Sequence, residues 1–254
     1  ITIGGGTPID TVKVVQLCYS LGINSVDELK KISNKHQKVK SKIRQIAVPT
    51  TLSGGEYSII GGAMDTKIQL KERYTGDDIC PQVVILDPAI TLHTPDWLWL
   101  STAIRSVDHA VEGLCSNSTN PLIPPMALNS LQLFGNSLRN THKNRDDIIS
   151  RSLSQKAVWM IAKNLGNTPM GASHGIGYLL GSIGSVPHGH TSCVMLPAVL
   201  KWNESYNQDK QKWIANALGR PKLSASEAVG ELISDLGLPT TLGEVGIKAV
   251  SYTH

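Results

Sequence analysis

The stretch that most constrains the fold is residues 94–116, with the sequence TPDWLWLSTAIRSVDHAVEGLCS. Thr94 and Pro95 suit the N-cap and first turn of a helix, and Asp96 suits the positive end of the helix dipole. Apolar residues then surround most of the helix cylinder, namely Leu98, Leu100, Ile104, Val107, Val111 and Leu114. This pattern predicts a central helix, so a polar side chain on it needs a structural or functional reason.

Two polar residues of this helix, Arg105 and His109, are four positions apart and therefore project side by side. A lone histidine at such a position is more often a core residue than a ligand. Two more histidines lie in a later apolar, glycine-rich stretch, where His188 follows His174 by fourteen residues. Three imidazoles that meet in an apolar pocket match what a divalent transition metal requires, usually with one carboxylate.

Composition and charge exclude several classes of protein. The 254 residues can bury a sizeable core, in one large domain or two modest ones. The net charge is only +4, and the basic run 30–44 contains no aromatic residue, so a solvated connection is expected there and no nucleic-acid partner. The four cysteines form no C-x-x-C pair, which favours a reducing, cytoplasmic location over a disulfide framework. No apolar run is long enough for a membrane helix, so no membrane partner is expected.

The N-terminal residues have the pattern of a strand, a glycine turn and a helix. Thr7 as N-cap and Pro8 in the first turn predict a helix that runs to Leu21. The glycines at 4–6 allow the backbone to approach a ligand closely, and the free N–H groups of a helix start favour a phosphate. A plain tight turn is the alternative, because GGG before a helix is weaker evidence than a full G-x-G-x-x-G motif.

A second predicted strand, residues 43–48, runs into the small, hydroxyl-rich segment PTTLSGGE at 49–56. Two such turns at strand ends are typical of a site that holds both ends of one dinucleotide. Residues 82–87 predict a third, buried strand. We therefore predict a partial α/β dinucleotide-binding domain over 1–93 and an all-α metal or substrate domain over 94–254. Further helices are predicted within 122–139, over 146–165 and over 224–236.

Several motifs occur together along the chain. They are GGGTPIDTVK at the start, PTTLSGGEYS, VVILDPAIT, HAVE at 109–112, and SHGIGYLLGSIGSVPHG followed by VMLPAVLKWN. In this order they resemble the iron-containing alcohol dehydrogenase family, and especially its maleylacetate reductase-like branch. The resemblance implies a dehydroquinate synthase-like architecture, with the active site in a cleft between an α/β domain and a helical domain. It also implies that relatives extend beyond both ends, so we expect a truncated chain.

The resemblance implies an NAD(P) site at the two turns. The implied cofactor-binding residues are Gly4, Gly5, Gly6, Thr7, Asp10, Thr50, Thr51, Ser53 and Lys71. The first four face the pyrophosphate, Asp10 supports their turn, the later hydroxyl groups line the middle of the cofactor, and Lys71 lies near the ribose. The choice between NAD and NADP stays open.

By the same resemblance, His109, His174 and His188 match three of the family's four metal-ligand positions. Arg105 occupies the fourth, where metal-binding relatives have Asp, and an arginine cannot ligate a cation. Asp108 is not expected to replace it, because it is turned about 100° from His109 on a helix. Maleylacetate reductases also lack that Asp and are held to work without metal. A site with Fe²⁺ or Zn²⁺ and a metal-free site both stay open, and Arg105 favours the second.

These features predict an NAD(P)-dependent oxidoreductase that transfers hydride between nicotinamide and an alcohol, a carbonyl or an activated double bond. In the metal-free version Arg105 holds an acidic small-molecule substrate in bidentate fashion, or it instead lies at the surface or pairs with an acid such as Glu112. His109, His174 and His188 then donate hydrogen bonds or protons to the developing oxyanion, with His109 and His188 as the catalytic candidates among them. Tyr178 stands where many relatives have another active-site histidine and is a further catalytic candidate.

Other readings of the resemblance stay open. One is a zinc enzyme of the glycerol dehydrogenase or dehydroquinate synthase type. Another is a truncated, catalytically inactive remnant that binds only a cofactor or a partner. The wording of the motifs also resembles fungal members, some of which act in secondary-metabolite pathways. A second copy of the chain, in a homodimer, is the one protein partner considered.

Overall fold

A computed structural model of the protein describes residues 1–67, 70–162 and 168–248, without the side chains of Leu70 and Lys71. The strands are β1 Thr2–Gly4, β2 His36–Gln37, β3 Ile46–Pro49, β4 Ile60–Asp65, β5 Leu70–Gly76 and β6 Val83–Val84. The first helices are α1 Gly6–Leu21 and α2 Val26–Lys31. The later ones are α3 Asp96–Cys115, α4 Ile123–Lys143, α5 Ile148–Ala162, α6 Ala172–Ile183, α7 His188–Trp202, α8 Gln208–Ala217 and α9 Ala225–Asp235. The predicted α/β part followed by a helical part is confirmed.

The first sheet has the order β1-β3-β6, and both pairs of strands are parallel. Thr2 is opposite Ala47, and Ile46 is opposite Val83. β1 and β3 therefore end at the same edge, where Gly4 is opposite Pro49 and the two predicted turns begin. The strand predicted over 82–87 has only two residues in the ladder, although Ile85 N still donates to Ala47 O at 2.9 Å.

Sequence analysis missed a second sheet, with the order β2-β5-β4, in which β4 and β5 are antiparallel. Adjacent glycines in β4 and charged residues in β5 hide the alternating apolar pattern of a strand. At Gly61 the strand β4 has no side chain because it lies close to α1. A Cβ on Gly61 would lie 3.1 Å from Asp10 O and from Val14 Cγ2, so a small residue lets the strand approach α1 closely.

The helix predicted to be central is central. Every residue of α3 from Trp99 to Leu114 is buried, and α3 contacts α4, α5, α6, α7 and α8. Its apolar residues join one large core cluster with residues of α4, α5, α7, α8 and α9. The polar residues of α3 are therefore held inside this core, where each needs a partner.

The starts of two helices differ from their predictions. α1 begins at Gly6 with Gly5 as its N-cap, and no side chain caps it, so Thr7 lies inside the first turn. α3 begins at Asp96 with Pro95 as N-cap, because the Thr94 hydroxyl donates to Thr50 O at 2.8 Å instead of capping the helix. By contrast, Ser224 caps α9 through a complete capping box, as a serine at a helix start favours.

Two further helix predictions match the structure in position. The helix predicted within 122–139 lies in α4, which continues to Lys143, and the helix predicted over 146–165 includes α5, with residues 163–165 outside the described residues. Across the described part of the chain, none of the helices combines the length and apolar character needed to cross a lipid bilayer.

Candidate active site

The first group of predicted residues meets at the shared edge of β1 and β3. Thr50 N donates to Gly4 O at 3.0 Å, so the two turns are bonded to each other. A Cβ on Gly5 would lie 2.8 Å from Thr51 Cγ2, which is closer than real Cβ contacts come. The hydroxyls of Thr51 and Ser53 are 3.1 Å apart. The absence of a side chain at Gly5 therefore allows the second turn to pack directly on the first.

Asp10, to which the resemblance assigns support of the glycine turn, bonds to β4 and to Lys13. Its Oδ2 accepts a hydrogen bond from Gly62 N at 3.2 Å, and its Oδ1 lies 3.1 Å from Lys13 Nζ. Thr7 is exposed in the first turn of α1. The predicted role of Lys71 rests on a side chain outside the described residues.

The second group of predicted residues surrounds Arg105 on α3. Arg105 is only 3% exposed, and its Nη1 donates to Ser192 Oγ on α7 at 3.0 Å. The same nitrogen lies 3.8 Å from Asp108 Oδ2. The alternative of a surface position is wrong, because the residue is buried. The alternative of a pairing with an acid matches the structure, with Asp108 as the acid in place of Glu112.

Asp108 lies in this cluster, although sequence analysis set it aside. Its Oδ2 accepts hydrogen bonds from the hydroxyls of Ser173 at 2.7 Å and Ser192 at 2.6 Å. It also lies 3.5 Å from His174 Nδ1. The angle from His109 was the wrong criterion, because residues three apart on a helix are neighbours and Arg105 lies between the two directions.

Glu112 was predicted only as part of the HAVE motif and as a possible partner of Arg105, yet it contacts His174. Its Oε2 lies 2.7 Å from His174 Nδ1. Its oxygens also accept the backbone N–H groups of Gly171 at 2.7 Å and Ser173 at 2.8 Å, which satisfies the start of α6. Polar residues at 105, 108, 109 and 112 of an apolar helix share one face, and this spacing was the signal that identifies them.

The predicted histidines come from three helices. The rings of His109 and His174 stack with centroids 4.8 Å apart. His188 is the first residue of α7, and its ring centroid lies 5.7 Å from that of Tyr178. The Tyr178 ring in turn lies 5.6 Å from Arg105 Cζ, so all five predicted side chains belong to one neighbourhood.

Burial and charge separate the protonation states of the two stacked histidines. Burial, followed by the charges of His174, Arg105 and His188, holds the pKa of His109 well below its ordinary value. Burial also lowers the pKa of His174, but Asp108 and a hydrogen bond to Glu112 outweigh it, so that pKa is raised. Burial raises the pKa of Asp108, yet His174 and Arg105 bring it below its ordinary value. The pKa values of the two stacked histidines are therefore shifted in opposite directions.

Some buried polar atoms of the cluster have no hydrogen-bond partner among the described residues. They are Arg105 Nε, Asp108 Oδ1, His109 Nδ1 and His174 Nε2. Buried polar groups are nearly always paired, so unpaired ones at a functional cluster call for an explanation such as a missing ligand. When His174 Nε2 carries a proton, it can donate a hydrogen bond to a substrate oxygen.

The possible metal-ligand group among the described residues differs from the three histidines that the resemblance implied, and that implied site stays a prediction. Asp108, Glu112 and His174 each place one ligand atom within 4.8 Å of the others. However, His174 Nδ1 is bonded to Glu112, and Asp108 Oδ2 already accepts two serine hydroxyls. The guanidinium of Arg105 also carries a permanent positive charge that repels a cation. Two like unit charges about 4 Å apart repel by about 4 kcal/mol at the effective dielectric of a protein.

Hydroxyl groups of α3 join the two groups of residues. Leu52 N donates to Thr102 Oγ1 at 3.1 Å, and the Ser106 hydroxyl donates to Leu52 O at 2.6 Å. Leu52 itself is fully buried in the helical core cluster. The second turn and the charged cluster are therefore fixed to the same helix.

Known proteins match nearly the whole chain. The model of the C-terminal part of the Fe-containing alcohol dehydrogenase family matches residues 100–253, and the model of iron-containing alcohol dehydrogenase matches residues 1–88. The dehydrogenase ALT3 of Alternaria alternata is 34% identical over 98% of this chain and 74% of its own length. The maleylacetate reductase of Pseudomonas knackmussii is 29% identical over 100% of this chain and 65% of its own length.

A solved structure shares the fold. The maleylacetate reductase of Rhizobium sp. strain MTP-10005 matches 97% of this chain with a TM-score of 0.81 and 25% identity, and the match covers 63% of that protein. The chain thus spans about two thirds of the length of these relatives. Both family models and the ordered motifs agree, and the chain belongs to the iron-containing alcohol dehydrogenase family.

Proposed function

We propose that this chain carries the reaction site of an NAD(P)-dependent oxidoreductase that acts on an acidic small molecule without a resident metal. The observation that carries the proposal is the buried cluster of Arg105, Asp108 and His174, in which a fixed guanidinium replaces a metal ligand. The relatives named as dehydrogenases and maleylacetate reductases support the reaction class.

The paired turns at the edge of the first sheet fit a dinucleotide. Thr51 packs against Gly5, where a Cβ would lie 2.8 Å from Thr51 Cγ2, so the two turns lie close enough together to contact one ligand. The start of α1 has no side-chain cap, which leaves its N–H groups for a pyrophosphate. When bound, NAD(P)H supplies the hydride. The residues that we propose to contact the nucleotide are those predicted from the sequence at the two turns.

The charged cluster supplies the other needs of the reaction. Arg105 orients a substrate carboxylate, because a guanidinium holds planar anions in a defined direction. His174 holds a proton at Nε2 for the oxygen that gains negative charge, and Asp108 and Glu112 keep that histidine charged and oriented. His109 stays neutral. Tyr178 and His188, the remaining catalytic candidates, lie next to Arg105 and to each other.

Turnover by the purified chain tests the proposal. NADH or NADPH is offered with matched pairs of carbonyl compounds that differ only in a carboxylate, together with unsaturated acids. We expect the acidic member of each pair to be preferred, and the Arg105→Met variant to lose about 100-fold or more in kcat/KM on acids while changing little on neutral partners. No turnover, together with no rise in Tm on addition of either nucleotide, would support an inactive remnant instead.

Elemental analysis tests the metal-free part separately. We expect less than stoichiometric iron and zinc in the native protein, and activity that survives a chelator. The Arg105→Asp variant restores a carboxylate beside His109 and is expected to gain affinity for Zn²⁺, measured by calorimetry. Stoichiometric metal in the native protein would show that the metal-free site is wrong.

A further inference from the structure

Lys13 is a buried charged residue that the proposed reaction does not use. It lies in α1, two turns beyond the glycine turn, and its side chain has no exposed surface. Lysine is almost never fully buried unless it is paired, because its ammonium loses its hydration. A lysine in this position therefore needs strong local partners.

Those partners lie on three different segments. The Lys13 ammonium donates to Asp10 Oδ1 at 3.1 Å and to Ile60 O at 2.8 Å. It also donates to the carbonyl of Gly55 and lies 3.3 Å from Ser58 Oγ. One cation thus joins α1, the turn around Gly55 and the first residue of β4.

The turn around Gly55 lies directly against the glycine turn. Gly54 has φ of 74°, a left-handed conformation that favours glycine and allows the chain to reverse. A Cβ on Gly55 would lie 3.5 Å from Asp10 Oδ1 and 3.9 Å from Gly6 Cα. The backbones of the two turns are therefore close enough that the bond from Lys13 to the Gly55 carbonyl sets their separation.

We propose that Lys13 is a positioning residue for the nucleotide: its ammonium fixes the spacing between the glycine turn at residues 4–6 and the turn at residues 54–57. Its side chain is fully enclosed, so it acts on the two turns without touching the nucleotide. The inference rests on the proposed function, since it assigns Lys13 to the same nucleotide site.

Nucleotide affinity in the full chain tests this assignment. Lys13→Met keeps the length of the side chain and removes all three donors. We expect the Kd for NAD(P)H, measured by nucleotide fluorescence, to rise about 10- to 100-fold, since small misplacements of binding groups cost this much. The KM of the carbonyl substrate at saturating nucleotide is expected to stay within about twofold.

Two further variants keep the test decisive if Lys13→Met folds poorly. Ser58→Ala removes one weak acceptor and is expected to raise the nucleotide Kd by about threefold in a folded protein. Lys30→Met is the matched control, because Lys30 pairs with Asp65 at 2.6 Å in the same half of the chain and should leave the Kd unchanged.

The outcomes separate the two claims. A wild-type protein that binds nucleotide, with Lys13→Met and Ser58→Ala variants of unchanged affinity and lower Tm, would overturn the positioning role alone. A wild-type protein that binds neither nucleotide would overturn the proposed function and this inference with it.

Discussion

The glycine turns and the charged cluster achieve their shapes in opposite ways. The turn at residues 4–6 and much of the turn at 50–57 consist of backbone atoms and small side chains, although Leu52 and Glu56 of the second turn are buried. The cluster around Arg105 consists of long charged side chains from three helices, and every one of its members on α3 is buried. Local sequence is therefore enough to form the first, whereas the second depends on the packing of distant helices and should be more sensitive to single substitutions.

The largest expected effect is the loss of Asp108. Asp108→Ala leaves the Arg105 cation buried without its carboxylate, and removal of one partner from a buried pair typically costs about 3–5 kcal/mol. Urea unfolding followed by circular dichroism measures this cost. Asp235→Ala, which breaks a more exposed pair with Arg139, is the control and should cost less than about 1 kcal/mol. Equal losses in both variants would remove the contrast between the regions.

Next in size is a pH effect at the turn. Burial raises the pKa of Glu56 from 4.5 to about 7, which corresponds to about 3 kcal/mol. Because the folded protein holds this proton more tightly than the unfolded chain, stability is greatest below about pH 4.5 and declines as the pH rises through 7. Glu56→Gln should therefore be more stable than the wild type at pH 8 and similar to it at pH 4, as measured by Tm.

A contradictory result would be a Glu56→Gln variant that loses stability equally at both pH values. That outcome would mean that hydrogen bonds of the carboxyl group, rather than its charge, matter at this position. The stability of the turn would then depend on one specific side chain, as the stability of the charged cluster does.

A smaller effect is expected at Gly5. Gly5→Ala places a Cβ 2.8 Å from Thr51 Cγ2 and pushes the two turns apart. We expect nucleotide affinity to fall about 10-fold, with only a modest change in stability because the turn is near the surface. Thr51→Ser removes the Cγ2 that clashes, so the double variant should recover part of the affinity. No recovery would show that the clash is not the cause.

The smallest effect sets the scale for the others. Gly230 lies inside α9, and a Cβ added there meets no atom within 4 Å. Gly230→Ala should therefore stabilise the protein by up to about 1 kcal/mol through helix propensity alone. A loss of stability in thermal unfolding would mean that α9 packs more tightly than its surroundings indicate.

The same contrast explains which features could be predicted from the sequence. Gly4, Gly5 and Gly6, the hydroxyl turn and the core position of α3 follow from patterns within about twenty residues. The second sheet was missed because its strands are short and interrupted by glycine and charge. Prediction also failed for the N-cap of α3, because Thr94 uses its hydroxyl for a partner 44 positions away.

Asp108 and Glu112 show the limit most clearly. Their partners lie on α6 and α7, about 60 to 84 positions later in the chain. Nothing in the neighbouring residues indicates that these carboxylates are satisfied by serine hydroxyls and backbone N–H groups. The spacing of polar residues on an apolar helix indicates that they share one face. That spacing does not predict which residues they contact.

The bonds between Leu52 and α3 have a consequence for protein engineering. Because Thr102 and Ser106 hold both backbone groups of Leu52, a one-residue insertion between Thr50 and Leu52 should shift the edge of the first sheet relative to Arg105. In the proposed reaction this shift would separate the hydride donor from the substrate. Exposed residues of α6 such as Leu179 take no part in these bonds. Such positions are therefore the places to vary substrate preference without moving Leu52 relative to α3.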